Sequence, residues 1–189
     1  MQIRNFNFTE SKINSIIIDN YSGNYLWLGF QKSGDYCTLK KVSANNPLQT
    51  YFDIDLEIDV IKKFVIYSTY LYVAINDVTY IGKKYSLLNP LTTSSNFTKP
   101  VGANEAPIDI QVTANYVFFL LPGNISGENA KIYKFTLSGT YVETIDLATI
   151  QNVSSFVVID DTNIWAVTNT SPTELVRIYN DGSWNYETF

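Results

Sequence analysis

Four short segments of the chain read alike: Tyr25-Leu26-Trp27-Leu28, Tyr70-Leu71-Tyr72-Val73, Tyr116-Val117-Phe118-Phe119 and Asn163-Ile164-Trp165-Ala166. Their third residues, Trp27, Tyr72, Phe118 and Trp165, are separated by 45, 46 and 47 positions. Each segment follows another apolar run: Ile16-Ile17-Ile18, Phe64-Val65-Ile66, Ile108-Asp109-Ile110-Gln111-Val112 and Phe156-Val157-Val158-Ile159. In the first copy the offset between the two runs is three residues longer, absorbed in Asp19–Asn24. Self-similarity at such a period is the mark of a repeat architecture.

A third run follows in each copy, at Thr38–Val42, Val78–Ile81, Lys131–Phe135 and Leu175–Tyr179. A fourth, more polar run is expected at Leu48–Leu56, weakly near Tyr85–Leu91, at Thr140–Leu147 and at Ser183–Phe189. The runs are short, rich in Ile, Val, Tyr, Phe and Thr, and punctuated by Gly, Asn, Asp and Pro, which predicts strands. No stretch keeps a 3.6-residue apolar period over three turns, so little helix is expected.

Face chemistry orders the strands within a repeat. The second strand is apolar on both sides, with Val117 and Phe119 opposing Phe118 and Leu120, and so must be covered on both sides. The fourth alternates, most clearly in Asp53-Ile54-Asp55-Leu56-Glu57-Ile58-Asp59, and is half exposed. Doubly buried inner strands with a half-exposed outer strand fit four-stranded blades set around an axis. The expected fold is therefore all-β and β-propeller-like, with four repeats of about 46 residues, each of four short antiparallel strands. A two-sheet sandwich is the rival architecture.

The unit Phe156-Val157-Val158-Ile159-Asp160-Asp161-Thr162-Asn163-Ile164-Trp165 resembles a blade of the divergent propellers related to NHL and YVTN repeats. The resemblance covers residues 13–189 and implies a fold but no catalytic residue. The WD dipeptide and the kelch double glycine are absent, so those families are not implied. Residues 1–12 are expected to form a strand-like N-terminal arm before a four-bladed domain spanning 13–189. Such an arm, with Ile3, Phe6 and Phe8, could close the ring against the last strand, or pair with a neighbouring chain.

Composition limits the chemistry. Among 189 residues there is no histidine and one cysteine, Cys37, which removes His-based triads, His-ligated metals and disulfide frameworks. General acid–base work would fall to Asp, Glu, Lys or Tyr, yet no spacing singles out a pair among candidates such as Asp109, Asp160 and Asp161. No phosphate-cradling loop, nucleophile elbow or metal motif is present. A net charge of −5 argues against nucleic acid and an anionic membrane as partners. Residues 1–100 carry ten Lys or Arg against eight Asp or Glu, whereas residues 101–189 carry three against ten. That asymmetry can orient a subunit against a neighbour.

The expected role is accordingly a non-catalytic interaction or structural subunit of a large assembly, without enzymatic activity, cofactor or metal. Its partners would be other proteins or copies of itself. Asn/Ile/Tyr/Lys-rich usage suggests an AT-rich coding genome, and hence a tailed-phage virion component. With no signal-peptide h-region and no transmembrane run, the expected location is virion or cytoplasm. Two long loops, Thr92–Pro107 and Pro122–Ala130, are expected side by side and supply Phe97, Lys99, Asn124 and Glu128 as partner contacts. The tails add Phe6, Phe8, Trp184 and Tyr186. The alternative is a carbohydrate-binding propeller using Tyr21, Tyr85, Tyr141, Trp184 and Tyr186 as stacking platforms.

Overall fold

In the computed structural model, the described residues are 12–19, 23–31, 37–46, 50–55, 60–88, 93–124 and 127–189. They form sixteen strands and no helix. Blade 1 comprises β1 (Lys12–Asp19), β2 (Tyr25–Gln31), β3 (Cys37–Ser43) and β4 (Thr50–Asp55). Blade 2 comprises β5 (Val60–Tyr67), β6 (Tyr70–Asn76), β7 (Tyr80–Ser86) and β8 (Thr93–Thr98). Blade 3 comprises β9 (Asp109–Val112), β10 (Tyr116–Leu121), β11 (Lys131–Thr136) and β12 (Tyr141–Asp146). Blade 4 comprises β13 (Val153–Asp160), β14 (Asn163–Thr168), β15 (Leu175–Asn180) and β16 (Trp184–Thr188). Every sheet is an antiparallel meander in chain order, and the first strands β1, β5, β9 and β13 stack successively on one another. The radial all-β arrangement expected from the spacing is what the chain adopts.

Trp27, Tyr72, Phe118 and Trp165 each occupy the third position of their blade's second strand. The first three are buried; Trp165 is half-buried. Alternation then assigns the cores. Trp27 shares a cluster with Leu39, Ile61, Phe64 and Leu71, between blades 1 and 2. Tyr72 joins Phe97, Val117, Phe119 and Phe135, between blades 2 and 3. Phe118 and Leu120 join Ile145, Phe156, Ile164 and Ile178, between blades 3 and 4. One face of each second strand thus belongs to the preceding interface and the other face to the next.

Two corrections concern blade 2. Its third strand is Tyr80–Ser86 rather than Val78–Ile81, and its fourth is Thr93–Thr98 rather than a run near Tyr85–Leu91. The supposed loop from Thr92 is therefore a strand at its start. Its Thr- and Ser-rich composition hides it, and Phe97 points inward, with Phe119 and Phe135 at ring-centroid distances of 5.3 and 5.6 Å. Those separations favour tilted and edge-to-face contacts. Gly82, in β7, is required by this cluster: a Cβ there would lie 2.5 Å from the Phe119 ring.

A cross-strand row recurs in all four blades. The registers place Ile17–Trp27–Lys41–Phe52, Val65–Tyr72–Lys84–Ser95, Gln111–Phe118–Lys134–Glu143 and Val157–Trp165–Arg177–Glu187 in equivalent rows. In the first three blades the pairing with the outer strand slips immediately after the lysine, skipping Tyr51, Ser94 and Val142. Such bulges bend and twist the outer strand. Blade 4 has none in the equivalent pair.

Equal register with unequal burial predicts unequal cost. Phe118→Ala is expected to destabilise by about 3–5 kcal/mol through its interblade cavity, and Trp165→Ala by about 1–2 kcal/mol, because its ring is still partly in water. Urea denaturation measures both. Burial, with Tyr70 and Tyr67 nearby, pushes the Tyr72 hydroxyl up from 10.0 to about 12. The folded state then keeps a proton that the unfolded chain loses above its ordinary value. Stability is full below about pH 10 and falls as pH rises towards 12. Comparison of denaturation midpoints across that window should show a shallower loss for Tyr72→Phe.

Candidate interaction face on the fourth blade

In the first three blades the row's cation, on the third strand, lies against aromatic rings of the second. Lys41 Nζ lies 4.5 Å from the Tyr25 ring centroid and 5.5 Å from that of Trp27. It also pairs with buried Asp19 at 3.3 Å, which accepts from Trp27 Nε1 at 3.2 Å. Lys84 Nζ lies 3.9 Å from the Tyr70 ring centroid and donates to the Leu137 carbonyl of blade 3 at 3.0 Å. Burial holds its pKa below the ordinary lysine value. Lys134 Nζ lies 4.3 Å from the Tyr116 centroid and 5.5 Å from that of Trp184 in blade 4, and pairs with Glu143 at 3.0 Å. The contacts of Lys84 and Lys134 reach the next blade, whereas those of Lys41 lie within blade 1, beneath the core it shares with blade 2.

Arg177 takes the equivalent place in blade 4, but its face is open. The aligned rows on that side are Ser155–Val167–Leu175, continued by Phe189 through paired backbone bonds, then Val157–Trp165–Arg177–Glu187, then Asn163–Tyr179–Asn185. Val157, Ile159, Leu175 and Phe189 are exposed. Trp165 meets Phe189 at a centroid distance of 5.9 Å. Arg177 lies 5.1 Å from the Tyr179 ring centroid and 3.8 Å from the Glu187 carboxylate, and Tyr179 donates to Glu187 at 3.4 Å. The neighbouring Glu187 charge foremost raises the Tyr179 pKa. A shallow apolar pocket opens here, lined by Ser155, Phe156, Val157, Trp165, Val167 and Leu175. Asn163 stands where blades 1 to 3 carry Tyr25, Tyr70 and Tyr116, and its Oδ1 is buried without a hydrogen-bond partner among the described residues. The surface is an apolar sheet face with a charged outer margin.

The residues expected as partner contacts scatter. Phe97 is in the core between blades 2 and 3, so it presents nothing to a partner. Lys99 follows β8, its amide bonded to the Thr79 carbonyl at 2.8 Å. Asn124 is exposed, and its amide, like that of Gly123, donates to the buried Glu105 carboxylate, at 2.8 and 2.9 Å. The two loops do lie side by side. Glu128 pairs with Lys131 at 2.7 Å. Trp184 and Tyr186 are half-buried and lie against blade 3, packing on its core. Trp184 Nε1 donates to Glu143 at 3.0 Å, and the Tyr186 hydroxyl bonds to the Ala148 carbonyl. Phe6 and Phe8 lie outside the described residues, as does Tyr21. Of the aromatics named for sugar stacking, Tyr85 is a core residue and Tyr141 is exposed, with its hydroxyl on Thr144. Those rings, among the described residues, form no common platform. Among the described residues no group of three or more His, Cys, Asp or Glu could hold a metal, and no helix is long and apolar enough to cross a membrane.

No protein-family model and no curated protein sequence matches the chain. Solved structures do. The chain is similar to the WD40 β-propeller domain of Doa1, with a TM-score of 0.65 at 14% identity, over 94% of this chain and 54% of that one. It is also similar to a structure from a study of two prolyl endopeptidases and the role of inter-domain dynamics in their catalysis and specificity. There the TM-score is 0.56 at 12% identity, over 88% of this chain and 25% of that one. The fold is that of a β-propeller. The chain thus spans about half the length of the first neighbour and a quarter of the second.

The two sides of β13 make the face testable. Val157→Glu, on the open side, is expected to change the stability of the isolated monomer, measured at high dilution, by no more than about 0.5 kcal/mol. Phe156→Glu, one residue earlier and turned into the core with blade 3, should cost more than about 3 kcal/mol, a cavity plus a buried charge. Thermal and urea unfolding of the two variants decide this.

Proposed function

We propose that this chain is a non-catalytic protein-interaction subunit of a larger assembly. A β-propeller fold supports an interaction scaffold. The observation that carries the reading is the open face of blade 4. It repeats the residue row that blades 1 to 3 bury under a neighbour, and leaves it in water. Exposed apolar patches with a charged margin mark docking surfaces. The arm of residues 1–12, with Phe6 and Phe8, and the paired loops bearing Lys99, Asn124 and Glu128 are secondary contacts in the same reading.

The concrete form we propose is a virion component of a tailed phage, with blades of the NHL/YVTN kind. Its support is compositional: an Asn-, Ile-, Tyr- and Lys-rich chain of the sort an AT-rich genome encodes. In fractionated native material the chain is expected to co-sediment with particles and to leave them when Val157→Glu is introduced. Recovery of the wild-type chain only in the free fraction refutes the reading.

A further inference from the structure

Both ends of the row of blades expose positions that are buried inside it. Alignment through the strand pairings makes Ile16, Phe64, Ile110 and Phe156 equivalent, each turned towards the preceding blade. Phe64, Ile110 and Phe156 are 3%, 1% and 5% exposed, whereas Ile16 is 60% exposed and Ile18, two residues on, is 59%. Further out on that face, Leu28, Phe30 and Val42 are already buried, so among the described residues its exposed inner-strand apolar positions are Ile16 and Ile18. At the other end, Val157 is 47% exposed and Ile159 59%, on the inner strand of the face that would receive a following blade. Among the described strands, inner-strand packing joins blades 1 to 2, 2 to 3 and 3 to 4, with no comparable packing from 4 to 1.

We infer that a second copy of this chain fills both ends, the β1 side of one protomer seating on the blade 4 face of the other. This rests on reading that face as an interaction surface and names its occupant. Charge favours the orientation. Residues 1–100, which include blades 1 and 2, carry ten positive against eight negative side chains, and residues 101–189, with blades 3 and 4, carry three against ten. Head-to-tail pairing brings the acidic half of each protomer to the basic half of the other, whereas blade 4 against blade 4 sets like charges together. Curvature favours closure. The chain covers 54% of a WD40 β-propeller domain, so two such arcs make about one domain of that kind. Eight blades lie within the range propellers adopt. A head-to-tail contact that closes after two copies gives a symmetric dimer with two identical interfaces. The geometry is the one the chain already uses between its own blades.

Sedimentation velocity of the 189-residue chain over a wide concentration range tests this. A species of twice the 21.4 kDa chain mass is expected, persisting to low concentration because two interfaces must part together. Ile16→Glu and Val157→Glu change exposed residues at opposite ends, and each alone should give a monomer with an unchanged circular dichroism spectrum. An equimolar mixture of the two should pair again at higher concentration, since each variant supplies the face the other lacks. A wild-type chain that stays monomeric throughout overturns the inference. So does an Ile16→Glu variant that pairs as well as wild type, or a mixture that remains monomeric. Uptake of a monomer into particles is measured separately by co-fractionation, so self-pairing and the wider interaction reading fail independently.

Discussion

Everything in this fold depends on one recurrent contact: a lysine on the third strand laid against the aromatic rings of the second, with the next blade above it. A ring face attracts a cation by about 0.5–1 kcal/mol at an exposed site and about 2 kcal/mol when water is excluded. The blades supply that exclusion. Lys41 and Lys134 are almost fully buried, which would be costly for an isolated charge, and each has a carboxylate within reach, Asp19 and Glu143. The lysine stems cover apolar surface while their tips reach the seam between sheets. The contact therefore joins hairpin pairing within a blade to stacking between blades. An ordinary hydrophobic seam would give adhesion; this one also fixes the side on which each sheet receives its successor.

The bulge beside each lysine belongs to the same device. Skipping Tyr51, Ser94 or Val142 turns the outer strand just beyond the cation. Blade 4 keeps Arg177 at the position, with Glu187 across from it, yet its outer strand pairs without a slip. Its cation lies over Tyr179 of its own strand instead of the second-strand rings. The fourth blade keeps the row's residue classes while lacking the covered setting that blades 1 to 3 share.

Much of this was legible in the sequence. The spacing of Trp27, Tyr72, Phe118 and Trp165 located the second strands, because burial on both faces forces a continuous apolar run whatever the turns do. The lysine partners were not legible from spacing. From aromatic to cation the separations are 14, 12, 16 and 12 residues, since the turn between the paired strands varies while the register beyond it does not. Lys40-Lys41 and Lys83-Lys84 were visible as pairs, but only pairing shows that Lys41 and Lys84 face the rings. Strand β8 was lost for another reason. A strand whose polar side is Ser and Thr and whose inward side offers the single large ring of Phe97 has a loop's composition. Trp184 and Tyr186 were read as partner contacts because they lie close to the chain's last residue, and sequence position carries no information about which side of a sheet faces the neighbour.

A blade is stable only when its sheet is covered on both faces, so every open row of blades has two ends to cover. At the first end Leu28, Phe30 and Val42 are already buried, and among the described residues the exposed inner-strand apolar positions are Ile16 and Ile18. The last end keeps Trp165 half in water beside Phe189 and an apolar pocket next to it. The uncovered area therefore lies near the axis at one end and spreads across the sheet at the other. An unsatisfied acceptor, Asn163 Oδ1, sits within the second face, and leaving such a group unpaired costs about 1–3 kcal/mol. That oxygen is already shut off from solvent, so the cost is carried by the blade itself and a cover on the face leaves it unchanged. What a partner meets is the exposed apolar surface of Val157, Leu175 and Phe189, with Arg177 and Glu187 at its margin, and that combination selects what can dock there.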